Sequence, residues 1–296
     1  MIKHIMQQAL ASKPNYLGLD DVVEKEILHH EILFLMHKEG FLTKLTFMGG
    51  TALRLCYGSN RLSEDLDFAS DQNFKASDFS GFAEALQQHL HTVLRLNVAV
   101  HEPTIDKGDT STWKVTIEKF AQRPDLPSQK IHIDICAYPS IDPTFHPVTD
   151  HYGIGSKMNG LPIKVESLSE LLVDKLIAFA YRARRIKPRD VWDLAWLSQR
   201  HIELNHTLLQ SKLTLRSKGL DEFINLIDKH LELVLKNAET KKDFYQEMRR
   251  FVPPEVSERT LENEGFWPYV GNVLSDYAHQ IKSEIKNGSS GFHMKM

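Results

Sequence analysis

The chain has little cysteine, no long apolar run and no strong charge of either sign. Its 296 residues hold two cysteines, Cys56 and Cys136, each flanked by apolar neighbours. Two isolated thiols exclude a disulfide framework and offer no zinc spacing; they suit a reducing compartment. No hydrophobic stretch approaches the ~20 residues that a membrane helix needs, and MIKHIMQQALASK at the start lacks a signal-peptide core. The expectation is a cytoplasmic protein with no membrane partner. Net charge is −3, so a nucleic-acid partner has to meet a local basic patch, not a global field. GxSxG and Walker A sequences are also missing. His29-His30-Glu31 begins like a zinc-protease helix, but Phe34 stands where the second histidine would be required.

What is present is ordinary globular material, 42% hydrophobic and 25% charged. Residues 20–38 carry apolar side chains at helical spacing. Leu45–Met48 reads as a short buried strand, Gly49-Gly50 as a tight turn, and Thr51 onward as a helix. Asp65-Leu66-Asp67-Phe68-Ala69 alternates as a half-buried strand does. A helical spacing covers 78–92, and a strand is expected over Leu94–His101. Thr112–Phe120 and Lys130–Tyr138 both alternate cleanly; the proline-bearing loop AQRPDLPSQ between them allows an antiparallel hairpin. A Pro- and Gly-rich stretch, about 139–162, marks a boundary near 160. Beyond it the chain reads as helical: Ser167 and Glu170 form a capping-box pattern, Pro188 starts a further helix, and 205–250 and 257–286 are amphipathic. The division expected is therefore 1–160, 161–286 and a frayed tail at 287–296.

Three pieces of this chain could do chemistry together. Glycines at a strand–helix turn let backbone N–H groups approach a phosphate, and Thr51 adds a hydroxyl. Asp65 and Asp67, two apart on a strand, share one face and repel each other unless a cation lies between them. Magnesium, with manganese as the alternative, prefers such oxygen ligands and shares them with substrate phosphates. Asp134, between isoleucines on a later strand, would complete a two-metal site. Each piece has a bland reading: a plain turn, solvated charge, a surface aspartate. Their order along the chain favours the joint one.

The pattern Gly-Gly…Asp-x-Asp…Asp resembles the polymerase-β-like nucleotidyltransferases. More narrowly, FMGGTALRLCYGSNRLSEDLDF resembles the first motif of the AbiEii/AbiGii toxin family: Gly49-Gly50-Thr51-Ala52-Leu53, then Arg61, Ser63, Asp65 and Asp67-Phe68. Val22–Leu33 is similar to that family's N-terminal helix. Lys175, Arg182 and Arg189-Asp190-Val191-Trp192-Asp193-Leu194 match its later helical motif. The segment before Asp134 fits only loosely.

The resemblance implies an α/β (α+β) fold: a nucleotidyltransferase domain with a short mixed sheet, then a helical domain closing a cleft that holds the active site. It implies an NTP-dependent toxin of a bacterial toxin–antitoxin or abortive-infection system, with tRNA as acceptor and a winged-helix DNA-binding antitoxin as partner. Gly49, Gly50, Thr51 and Lys175 would hold phosphate, with Asp65, Asp67 and Asp134 on the metal. Arg61 and Ser63 would touch phosphate or cap the loop. Lys175 and Arg182, seven apart, share a helix face; Asp190 would anchor them or stand near the metal. The run Arg182, Arg184, Arg185, Lys187, Arg189 would be a landing strip for RNA phosphate or a solvated turn. The alternatives are transfer to a protein or a small molecule, and nucleotide binding without catalysis.

Overall fold

The computed structural model describes residues 1–103, 109–118 and 128–290. Most of the proline-bearing loop at 121–129 and the last six residues lie outside them. The chain forms two compact units: Met1–Glu166 with Phe251–Pro254, and Ser167–Arg250 with Glu255–Met296.

The first unit opens with α1 (Ile2–Ser12) and α2 (Asp20–Lys38). Asp20 and Asp21 stand in the first turn of α2 and His37 and Lys38 in its last, matching the helix dipole at both ends. Next come β1 (Thr46–Met48), α3 (Gly49–Leu55), β2 (Leu66–Ala69) and α4 (Phe82–Leu94). Strands β3 (Val98–His101), β4 (Thr110–Ile117), β5 (Gln129–Cys136), β6 (Pro143–Pro147) and β7 (Pro162–Glu166) follow. Together they make one mixed sheet of seven strands, ordered β3-β4-β5-β2-β1-β7-β6.

The alternation in β4 and β5 does what period-two patterning demands. Trp113, Val115, Ile117, Ile131, Ile133 and Ile135 are fully buried on one face. Trp113 meets Phe79 and Phe82 there, with ring centroids 5.4 and 6.2 Å away. Leu66 and Phe68 bury their side chains likewise, Phe68 against Phe47. The opposite face is left to Asp67, Thr112, His132 and Asp134, all half-buried.

The Pro- and Gly-rich stretch expected as a boundary is partly sheet. It supplies β6 at the edge, paired to β7, where Pro143 and Pro147 flank the strand and cost few ladder bonds. The expected strand from Leu94 begins only at Val98, because α4 runs on to Leu94 and Arg95 caps it in a left-handed conformation. Near the other end of the chain, Phe251 accepts a hydrogen bond from Leu62 N (2.8 Å) and so belongs to this first unit.

The second unit is helical: α5 (Leu168–Tyr181), α6 (Pro188–Gln199), α7 (His206–Leu215), α8 (Leu220–Lys236), α9 (Ala238–Met248), α10 (Pro254–Arg259, of which Pro254 itself counts with the first unit) and α11 (Phe266–Ser290). Ser167 Oγ accepts from Glu170 N to start α5, and Pro188 stands in the first turn of α6. Trp192, Phe244 and Phe266 form its aromatic core. The last helix reaches Ser290, past the point where composition ends it.

Candidate active site

The strand–helix junction β1–α3 is shaped by what its glycines let in. Gly49 has φ +76°, and a Cβ there would stand 2.9 Å from Asp67 Cγ and 3.0 Å from Asp67 Cβ. A Cβ on Gly50 would collide with the Arg61 guanidinium and lie 3.1 Å from Ser63 Oγ. Each glycine thus clears space for a named side chain. The first admits the Asp67 carboxylate to the start of α3. The second admits Arg61, which is 2% exposed and donates from Nη1 to Leu62 O at 3.0 Å.

Thr51 is also engaged inside the protein. It is buried, and its hydroxyl donates a short hydrogen bond to the backbone carbonyl of Asp65. The hydroxyl expected at a phosphate therefore ties α3 to the entry of β2. Arg61 and Ser63 are likewise buried, in the loop leading to β2, where Arg61 braces the backbone.

The carboxylates are brought together by register. In the parallel pair β2–β5, Asp67 lies opposite Asp134 and Leu66 opposite Ile133. Neighbouring parallel strands run ~4.8 Å apart and paired residues face the same way, so both carboxylates share one surface. Thr112 is opposite Asp134 on β4 and donates its hydroxyl to Asp134 Oδ1 at 2.6 Å. Asp65, one residue before β2, turns to β5: its Oδ1 accepts from His132 N at 3.0 Å and from His132 Nδ1 at 3.1 Å. A carboxylate can only accept here, so Nδ1 carries the proton.

The donor set suits a hard cation bound partly by substrate. Among the described residues, no three His, Cys, Asp or Glu groups are gathered tightly enough to enclose a metal. Magnesium does not require that; one or two carboxylates plus phosphates and water are its usual shell. Asp67 and Asp134 are such a pair, and the missing Cβ of Gly49 leaves the Asp67 carboxylate its place.

The loop around this surface is fixed by a buried ion pair. Arg54 Nε donates to Glu26 Oε2 (3.0 Å), and Arg54 Nη1 donates to Ser59 O (3.0 Å). Burial opposes the Glu26 charge, but Arg54, together with His151 and His30, outweighs it and holds that carboxyl below its ordinary value. His29, on α2, contacts Glu64 O at 3.0 Å; burial pushes its imidazole down to about 4.

Within the second unit, Lys175, Arg182 and Asp190 do converge. Lys175 Nζ lies 3.2 Å from Asp190 Oδ1 and 2.8 Å from Asp193 Oδ2. Arg182 Nε donates to Asp190 Oδ2 at 3.1 Å. Burial works against ionisation of Asp190, yet Lys175, Arg182 and Lys187 outweigh it and hold its carboxyl at about 2. Asp190 is thus the anchor of two cations. Arg185 and Arg189, from the same basic run, reach Glu247 at 2.9 and 3.4 Å.

A family profile described as nucleotidyl transferase AbiEii toxin, type IV toxin–antitoxin system, matches residues 32–272. The chain belongs to this family. It is accordingly a nucleotidyltransferase of the AbiEii toxin family, and that membership brings an NTP substrate and an antitoxin partner. Solved structures agree on the fold. MenT4, a nucleotidyltransferase toxin of Mycobacterium tuberculosis, superposes with a TM-score of 0.54 at 15% identity over 97% of each chain. A candidate nucleotidyltransferase from H. pylori gives 0.53 at 15% identity, covering 90% of this chain and 96% of its own. No curated protein matches. No helix among the described residues of this AbiEii-family chain is long and apolar enough to cross a membrane.

Sequence reasoning passed over two residues that shape the AbiEii-family site. His132 holds Asp65 by two hydrogen bonds, and Thr112 orients Asp134. Both lie on the polar face of alternating strands, so the signal was the same periodicity that exposed Asp134.

Proposed function

We propose that the chain transfers a nucleoside monophosphate from an NTP to an RNA acceptor, tRNA, in the cytoplasm. The observation that carries this reading is the in-register pair Asp67 and Asp134 beside the Cβ-free Gly49. Asp67 and Asp134, with Asp65 next to them, would hold magnesium or manganese. The bound ion would neutralise the triphosphate and make the attacking hydroxyl more acidic. An acceptor hydroxyl oxygen forms a bond to the α-phosphorus while the bond to pyrophosphate breaks. The hydroxyl proton passes to Asp134, whose carboxylate is oriented by Thr112. Lys175 and Arg182, anchored by Asp190, would contact the triphosphate oxygens. The antitoxin of the system would be a separate winged-helix DNA-binding protein.

The test is a transfer assay. Purified protein meets each α-labelled NTP with magnesium, against total tRNA, total protein or no acceptor, with Asp67→Ala as control. Label on tRNA that the variant loses supports the reading and names the base. Label on protein moves the acceptor to another class. No label on either would overturn transfer to RNA, leaving a small-molecule acceptor or nucleotide binding without turnover.

A further inference from the structure

Strand alternation orients Asp67 but not Asp65. β2 begins at Leu66, so Asp65 stands in the loop before it, and the period of the strand does not set its direction. Its segment is pinned from neighbouring elements instead. Lys25 Nζ lies 2.8 Å from Glu64 Oε1, His29 contacts Glu64 O, and the Thr51 hydroxyl donates to the Asp65 carbonyl. The Asp65 side chain is held by β5. Both hydrogen bonds from His132 arrive at the same oxygen, Oδ1, at 3.0 Å from the backbone N and 3.1 Å from Nδ1.

Two donors on one oxygen leave the other open. Among the described residues, Asp65 Oδ2 takes no hydrogen bond and no ion pair. The His132 and Asp65 side chains are 35% and 31% exposed. A pair this open to water adds little stability, so what it fixes is direction. The register shows why direction matters here. Leu66 lies opposite Ile133 and Asp67 opposite Asp134, so Asp65 and His132 are one position back, at the border of the face that carries the other two carboxylates.

We propose that His132 is a positioning residue for the divalent cation: by occupying Oδ1 of Asp65 it leaves Oδ2 as the one atom of that residue free to ligate, beside Asp67 and Asp134. This rests on the reading of the chain as a metal-dependent transferase. The imidazole acts through Asp65 and does not itself touch the ion. Groups that hydrogen-bond a ligating carboxylate in this way carry about tenfold to a hundredfold in metal affinity.

Metal binding, not turnover, tests it. Manganese alone is titrated into the full chain, and the free ion is followed by electron paramagnetic resonance. His132→Asn carries its amide near where Nδ1 stands and can still donate to Oδ1; His132→Gln carries it near where Nε2 stands and cannot. His132→Leu removes the side-chain donor altogether and serves should His132→Gln fail to fold; thermal unfolding checks each variant. His132→Gln and His132→Leu should bind manganese about tenfold more weakly or worse, while His132→Asn stays within about threefold of the parent. On an Asp65→Ala background, His132→Gln should cost no further affinity, because the two residues act as one unit. Parental affinity in His132→Gln and His132→Leu, equal losses in His132→Asn and His132→Gln, a further loss on the Asp65→Ala background, or no manganese binding by the parent would overturn the role. A chain that binds manganese through His132 but labels no acceptor would fail the transferase reading and leave this one standing. A chain that labels tRNA while His132→Gln binds manganese as the parent does would fail this one alone.

Discussion

The Asp67 carboxylate occupies the space that a side chain on Gly49 would need: a Cβ there would stand 2.9 Å from Asp67 Cγ, on a backbone held at φ +76°. The glycine and the aspartate are one feature, since neither can move without the other.

Gly49→Ala should therefore lose more than flexibility. The left-handed conformation alone costs an L-residue about 1–2 kcal/mol, and the new methyl must displace Asp67. The expected result is a lowered melting temperature together with transfer activity reduced at least about a hundredfold. A variant that melts lower but transfers at the parental rate would mean that the position of Asp67 does not matter.

Asp67→Asn separates the two effects. It keeps the volume and removes one of two like charges on neighbouring strands. Thermal unfolding should be unchanged or slightly raised as repulsion falls, while labelled-nucleotide transfer drops by about two orders of magnitude or more.

Thr51→Val removes a hydroxyl whose work is internal. The lost hydrogen bond to the Asp65 carbonyl should cost about 1 kcal/mol, read as a shift of the denaturation midpoint. Since Thr51 is buried and directed at backbone, the affinity for NTP measured by titration should change little.

Asp190→Asn leaves Lys175 and Arg182 without their shared anion, though Lys175 keeps Asp193. Breaking one side of such a largely buried network costs about 3 kcal/mol. The second unit should unfold earlier, seen as faster hydrogen exchange in α5 and α6.

Acid should destabilise the first unit before it touches Asp190. His29 is neutral in the folded chain, its imidazole pushed to about 4, whereas an unfolded histidine titrates near 6.5. The unfolded chain therefore binds the extra proton between those values, so this contribution is complete above about 6.5 and is lost as pH falls toward about 4. Its size is on the order of 3 kcal/mol. Melting temperature should fall across that window, and His29→Gln should flatten the slope.

How much of this was legible beforehand follows from the range of the forces involved. Period-two alternation in β4 and β5 and the helix over 20–38 are local, because side-chain direction repeats with the backbone. The Gly-Gly turn, the aspartates and the later lysine–arginine motif, read in order, carried the family as well, and the profile match over 32–272 bears that out. The tertiary structure alone decided which strands are neighbours. Asp67 faces Asp134 because β2 lies parallel to β5 in one register, and nothing within either strand specifies that partner. The same holds for Thr51 on Asp65, Arg61 beneath Gly50, and Asp190 between Lys175 and Arg182. Hydrogen-bonding capacity is written in each residue, but its direction is set by whichever group the packed core brings within about 3 Å.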